Sequence, residues 1–135
     1  MMTRCFYRPG RWLAAVIISC TPLFNAVVSA EELDENTRVN LQITLKDFVN
    51  ENSSSGSYPF FDPDEGKMLD LKLEKLHPVI FARDGYYMMC ADFVAADGSK
   101  VLIDYIVVGS GDTYAITQQI KGRRSYLTTL FDRVF

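Results

Sequence analysis

Two apolar segments on either side of Asp97-Gly98 constrain this chain more than any other feature of its sequence. YYMMCADFVA precedes the pair and KVLIDYIVV follows it, and both are rich in aromatic and β-branched residues. Each segment contains one aspartate, Asp92 in the first and Asp104 in the second. Because Asp-Gly between two such segments is a strong hairpin signal, we predict two antiparallel neighbouring strands.

The register of this hairpin decides where the two aspartates lie. A two-residue loop would place Asp92 and Asp104 on opposite faces, and each face would then bury a charge. A loop of residues 96–98, with Gly98 in the left-handed conformation, shifts the pairing by one residue and brings both aspartates to the same face. Burying an unpaired carboxylate costs several kcal/mol. We therefore predict the second register, with Cys90 opposite Asp104.

We call the two sides of the predicted hairpin the first face and the second face. The first face carries no charge and consists of Tyr87, Met89, Ala91, Phe93, Val101, Ile103, Tyr105 and Val107. The second face consists of Met88, Cys90, Asp92, Val94, Lys100, Leu102, Asp104 and Ile106, with Lys100 expected near Asp92. The second face is either an ordinary, partly solvated side of a sheet or, because it is apolar for a solvated surface, a binding face.

The rest of the chain predicts an α+β fold. Residues 32–51 place Leu41, Leu45 and Val49 at helical spacing, with acidic residues at the start of the helix. Residues 69–75 alternate leucines with charged residues, which indicates a half-buried strand. Three further strands follow, so we predict an N-terminal helix packed on a four-stranded antiparallel meander, of the cystatin-like or nuclear-transport-factor-like class. For residues 122–135 the pattern favours a short helix over an edge strand.

The first thirty residues have the order of a secretory signal peptide. Three arginines precede a short apolar run, and small residues at Val28 and Ala30 precede an acidic segment. The uninterrupted apolar run is shorter than the ~20 residues that a membrane-spanning helix needs. We predict cleavage after Ala30, a single domain at 31–135, and a periplasmic or secreted location. The alternative is a lipid anchor on Cys20, because Ile17-Ile18-Ser19-Cys20 is similar to a bacterial lipobox.

Charge and cysteine content limit the partners of the exported domain. Removing residues 1–30 leaves eleven basic and seventeen acidic side chains, a net charge of −6 with histidine neutral. This balance disfavours nucleic acid and anionic membranes as partners. Cys90 is then the only cysteine, so no internal disulfide can form and the domain depends on its apolar core.

Other candidate chemical groups are few. His77 is the only histidine of the chain, which excludes a multi-histidine metal site. His77, Arg123 and Arg124 are secondary site candidates. These two arginines follow Lys121 in a basic segment, which we interpret as a solvated turn, with a site for an acidic partner as the alternative. The acids near Gly66, in DPDEG, lack the spacing of a calcium loop and are interpreted as a solvated turn.

Residues 65–108 resemble a family of small exported bacterial domains of unassigned function. The residues that carry the resemblance are Gly66, Lys67, Leu69, Leu71, His77, Cys90, Ala91, Asp92, Phe93, Asp97, Gly98 and Asp104. The resemblance implies export and a compact sheet, and it implies no activity.

Together these features predict a non-enzymatic domain without cofactor or metal. It would bind a protein or a small molecule through Asp92, Asp104, Cys90, Lys100 and Met88. The alternative is a small hydrolase or isomerase that uses a carboxylate in a sheet-lined pocket, since one of two neighbouring carboxyl groups can act as an acid. A third possibility is a homodimer in which the second faces of two copies pack against each other.

Overall fold

The computed structural model describes residues 32–134, which begin with helix α1, Glu35–Glu51. The side chain of Asp34 caps this helix by accepting a hydrogen bond from the backbone N–H of Thr37, at 3.1 Å. The helix buries one apolar stripe, formed by Leu41, Leu45 and Val49. The helix predicted over residues 32–51 is therefore confirmed, and it begins three residues later than expected.

Seven strands and a second short helix follow in the described part of the chain. The strands are β1 (Tyr58–Asp62), β2 (Lys67–Leu76), β3 (Phe81–Arg83), β4 (Tyr86–Ala95), β5 (Lys100–Ser110), β6 (Thr113–Lys121) and β7 (Asp132–Arg133). Helix α2, Arg124–Leu130, lies between β6 and β7. Every strand pair in residues 32–134 is antiparallel, which confirms the α+β class.

The sheet has seven strands rather than the four that the sequence indicated. Its main path runs β1-β2-β4-β5-β6, while β3 pairs with the first part of β4 and β7 pairs with β3. Two of the three additional strands, β3 and β7, have only three and two residues, which is too short for an alternating pattern. Strand β1 contains Pro59, a residue that sheets accept in edge strands, and β1 is an edge strand here.

The two ends of the main path approach each other, so the sheet is strongly curled. The hydroxyl of Tyr58 in β1 donates a hydrogen bond to Oε1 of Gln119 in β6. The ammonium group of Lys121 in β6 forms an ion pair with the buried carboxylate of Asp62 in β1. The buried residues of α1 join the core on the first face, where Phe48 contacts the Tyr105 ring edge-on with centroids 6.2 Å apart.

The predicted hairpin register is confirmed. Gly98 has φ +83°, and its N–H donates to the carbonyl of Ala95 at 2.9 Å, so residues 96–98 form the loop. In the ladder Phe93 pairs with Val101, and Cys90 pairs with Asp104. Asp92 and Asp104 consequently lie on the same face, and the core packs on the other one.

The predicted signal peptide and Cys20 lie outside the described residues. Within residues 32–134, no helix is both long enough and apolar enough to cross a membrane.

Candidate functional site

The two aspartates of the second face lie in different surroundings. Asp104 is in the middle of β5 and only 1% exposed. Asp92 is two residue pairs closer to the hairpin loop, and its side chain is 35% exposed. Cys90 lies beside both, two residues before Asp92 and directly opposite Asp104. The second face is therefore divided into a buried half around Asp104 and an exposed corner around Asp92.

Asp104 is held by an ion pair with the partly exposed Arg124, the first residue of α2. Nη1 of Arg124 donates to Oδ1 of Asp104 at 2.5 Å, whereas Oδ2 is buried and has no hydrogen-bond partner. Burial raises the pKa of the Asp104 carboxyl group above its ordinary value of 3.8, and the guanidinium group of Arg124 opposes this shift. Arg124 also lies over the ring of Phe81, 5.6 Å from its centroid.

The C-terminal segment of the chain covers the half of the second face around Asp104. Arg124 and the buried Leu127 are in α2. After α2, the N–H of Val134 donates to the carbonyl of Ile80 at 3.0 Å, and β7 pairs with β3. Met88 and Cys90 are buried although they point away from the core under α1. Met88 and Cys90, for which the sequence had suggested an external partner, are thus buried within the chain, whereas Leu102 and Ile106 of the same face remain partly exposed.

Cys90 has the environment of a packed thiol. It is 1% exposed, and burial raises the pKa of its thiol above 9.0, with Arg124 opposing the shift. The carboxylates of Asp104 and Asp92 add to the increase. Because the thiolate is the reactive form, this environment disfavours a nucleophilic role for Cys90.

The exposed corner of the second face is formed by His77 and Asp92. Nε2 of His77 and Oδ2 of Asp92 are 2.6 Å apart, and the side chain of His77 is 28% exposed. The backbone holds the histidine at this position: its N–H donates to the carbonyl of Cys90 at 3.0 Å, and its carbonyl accepts from Nε2 of Gln42 at 3.0 Å. Across the ladder, Asp92 faces the exposed Lys75.

The predicted basic candidates are each neutralised by an acid of the same chain. Lys100 lies on the second face, but its ammonium group pairs with Glu74 rather than with Asp92. Arg123 approaches Asp64 at 3.5 Å, and Lys121 pairs with Asp62. The segment around Lys121 is therefore not simply a solvated turn, because it ties the end of β6 to the β1–β2 turn.

Asp62 is buried, so the interpretation of DPDEG as a solvated turn is wrong for this residue. Its side chain is completely buried, and its Oδ1 accepts hydrogen bonds from the N–H groups of Asp64 and Glu65 at 3.0 and 3.4 Å. Lys121 lowers the pKa of Asp62 below 3.8. In the sequence, the acids and the glycine next to Asp62 suggested that its side chain is exposed to solvent. The burial of Asp62 depends on its ion pair with Lys121, which is distant in the sequence.

A shallow groove elsewhere on the surface is a second candidate site. It has a volume of about 410 Å³ and lies where the β3–β4 turn meets the end of α2. Its lining residues are Arg83, Asp84, Tyr86, Leu130 and Phe131. In residues 32–134, no group of three or more histidine, cysteine, aspartate or glutamate side chains is arranged to hold a metal ion.

Comparison of the chain with protein-family models, with curated proteins and with solved structures found no match. The cystatin-like or nuclear-transport-factor-like class and the resemblance to exported bacterial domains therefore remain predictions.

Proposed function

We propose that this chain is an exported, non-enzymatic domain that binds a protein or a small molecule through the corner formed by His77 and Asp92. The observation that supports this function is the hydrogen-bonded pair itself, which is polar, positioned by the backbone and partly exposed. Asp104 and Cys90 lie on the same face but are buried. A ligand at the corner would therefore contact His77 and Asp92, and not Asp104 or Cys90.

The exposed acceptor of the corner indicates the kind of ligand. Asp92 is partly exposed, with His77 as its hydrogen-bond partner and the exposed Lys75 opposite it in the ladder. A ligand group that donates hydrogen bonds, above all an ammonium or guanidinium group, would complement the exposed Asp92. The net charge of −6 after removal of residues 1–30 acts in the same direction.

Site-specific photo-crosslinking in the cell envelope of the source organism tests this proposal. A photoreactive residue at Lys75, opposite Asp92, should give a crosslinked adduct, and the same residue at Asp84 serves as the control for the competing groove. Asp92→Asn should remove the adduct at position 75 while the protein remains folded. An adduct that persists in Asp92→Asn, or that forms only from position 84, would contradict the proposal.

A small hydrolase or isomerase is the second candidate, and the 2.6 Å contact between His77 and Asp92 is the observation that favours it. A carboxylate that orients an imidazole is a common arrangement in general-base catalysis. Two carboxyl groups that share a proton are not favoured, because Asp92 bonds to His77 and Asp104 to Arg124. Turnover of simple ester or amide substrates that disappears in His77→Gln would establish an enzyme and overturn the non-enzymatic function.

A further inference from the structure

The curled sheet leaves two edge strands that face each other across a gap. Strand β1 pairs only with β2, and β6 pairs only with β5. Within residues 32–134 no backbone hydrogen bond joins β1 to β6, and side chains connect them instead, through the Tyr58–Gln119 hydrogen bond and the Asp62–Lys121 ion pair. Because an edge strand presents a row of unpaired N–H and C=O groups, both sides of the gap can accept backbone hydrogen bonds from a further strand.

A groove of about 290 Å³ lies between the two edges. It is lined by residues 59–61 of β1 and residues 116–119 of β6, and none of them is charged. Edge strands are commonly protected by charged side chains or by proline. Pro59 gives β1 this protection, whereas residues 115–120 of β6 contain neither a charge nor a proline, and their one irregularity is a bulge at Thr117. The β6 side of the groove is therefore open to pairing.

The direction of the strands determines what can fill the groove. Each strand of the path β1-β2-β4-β5-β6 is antiparallel to the next, so the first and the last run in the same direction. Direct closure of the sheet would therefore require a parallel pair, which is slightly less stable per residue. One inserted strand that runs in the opposite direction would be antiparallel to both edges and would leave neither of them exposed.

The side chains around the groove indicate the composition of such a strand. On the inner side, Tyr105 pairs with Gln119 in the ladder and is buried, and its hydroxyl group has no hydrogen-bond partner in the described part of the chain. On the outer side, Phe61 and its cross-strand partner Met68 are 57% and 60% exposed. Because an extended segment directs alternate side chains to opposite sides, a segment that alternates hydroxyl-bearing and apolar residues complements both sides.

We propose that the groove between β1 and β6 binds an extended segment of a partner protein, which inserts as a strand antiparallel to both edges. The segment is uncharged and alternates hydroxyl-bearing with apolar residues. Its backbone forms hydrogen bonds with both edge strands, and its outward apolar side chains pack on Phe61 and Met68. This interaction goes beyond the binding corner at His77 and Asp92 and does not depend on it.

Peptide binding to the full chain, measured by fluorescence anisotropy, tests this inference. The probes are seven-residue peptides that alternate threonine with valine, leucine or phenylalanine and carry a fluorophore on a polar linker. The peptide that binds most tightly is then made in two N-methylated forms. Each form lacks every second N–H group, so one form loses the donors of one edge of the peptide and the other form loses those of the opposite edge.

Two exposed aromatic residues provide the test variant and its control. Phe61→Ser removes the aromatic ring beside the groove. Tyr86→Ser is the control, because Tyr86 is 51% exposed and lies outside this groove. Since both side chains are largely exposed, both variants should remain folded, and the methylated peptides require no variant at all.

We expect each N-methylated form to bind about tenfold more weakly than the parent peptide, because an inserted strand uses hydrogen bonds on both of its edges. Phe61→Ser should weaken binding of the parent peptide about tenfold through the lost apolar contact. Tyr86→Ser should leave the affinity unchanged. Asp92→Asn should also leave it unchanged, which separates this groove from the corner at His77 and Asp92.

A loss of affinity in only one of the two methylated forms would show that the peptide adds to a single edge, and would overturn the inserted strand. Equal losses in Phe61→Ser and Tyr86→Ser would overturn the inference as well, as would the absence of binding by every peptide of the set. A full chain that sediments as a dimer and binds no peptide would point to a second copy at these edges and exclude the partner segment.

Discussion

Gly98 sets the register that brings Asp92 and Asp104 to one face, so its replacement is the most informative stability test. At φ +83° an alanine would adopt the left-handed conformation, which costs an L-residue about 1–2 kcal/mol. No heavy atom lies within 4 Å of the position that a Cβ would occupy, so a steric clash adds nothing. The cost is therefore a property of the backbone alone.

The net effect of Gly98→Ala is smaller than this cost, because alanine also restricts the unfolded chain. That restriction stabilises the folded state by about 0.4–1 kcal/mol. We therefore expect Gly98→Ala to lower the free energy of unfolding by about 1 kcal/mol, and to lower Tm by about 4–8 °C in a domain of this size. Gly98→Asn should cost less, since asparagine tolerates the left-handed region.

Urea unfolding followed by circular dichroism measures both variants. The slope of the free energy against urea concentration should stay constant, because the core is unchanged. A Gly98→Ala variant as stable as the original chain would show that position 98 is not left-handed. A loss in Gly98→Asn equal to that in Gly98→Ala would refute the same reasoning.

Further substitutions test the packing and the buried charges. Gly109→Ala should prevent correct pairing of β5 with β6, because its Cβ would lie 2.1 Å from the carbonyl oxygen of Thr113; the expected loss of folded protein is measurable by near-ultraviolet circular dichroism. Leu45→Ala, in the core, should cost about 2–5 kcal/mol in urea unfolding. Lys121 lowers the pKa of Asp62, so stability from this carboxylate should be present above pH 3.8 and be lost as the pH falls towards the lowered pKa, and Asp62→Asn should remove that acid-dependent loss. Burial raises the pKa of Asp104, so the stability that depends on this carboxyl group should decrease as the pH rises from 3.8 through the raised pKa, which is the opposite sign to that of Asp62. Urea unfolding of Asp104→Asn from about pH 3 to pH 7 measures this dependence. The same sign for both residues would contradict the assignment.

Much of the sheet could be predicted because local patterns determined it. The period of two and the Asp-Gly loop were sufficient for the β4–β5 register, whereas the assumption that both carboxylates avoid burial was wrong for Asp104, which is buried and paired with Arg124. The spacing of Leu41, Leu45 and Val49 was likewise sufficient for α1. These signals lie within a few residues of the elements that they specify.

The cover over the second face could not be predicted, because it depends on contacts between residues far apart in the sequence. Arg124 reaches Asp104 across twenty positions, and Lys121 reaches Asp62 across fifty-nine. An arginine beside a turn is usually solvated, and nothing in RRSYLTTL indicates which carboxylate it meets. The place of His77 was equally difficult to predict, because the register shift between Leu73 and Lys75 moves the residues after it to the face of Asp92.

The most direct test of binding at the His77–Asp92 corner is two-dimensional ¹H–¹⁵N NMR of the labelled chain. The chain is titrated with small molecules that carry ammonium, guanidinium or hydroxyl groups. We predict shifts at His77, Asp92 and Lys75 that disappear in Asp92→Asn and persist in Asp84→Asn. Ligands that shift only the groove around Tyr86, and that bind Asp92→Asn unchanged, would contradict the proposed site.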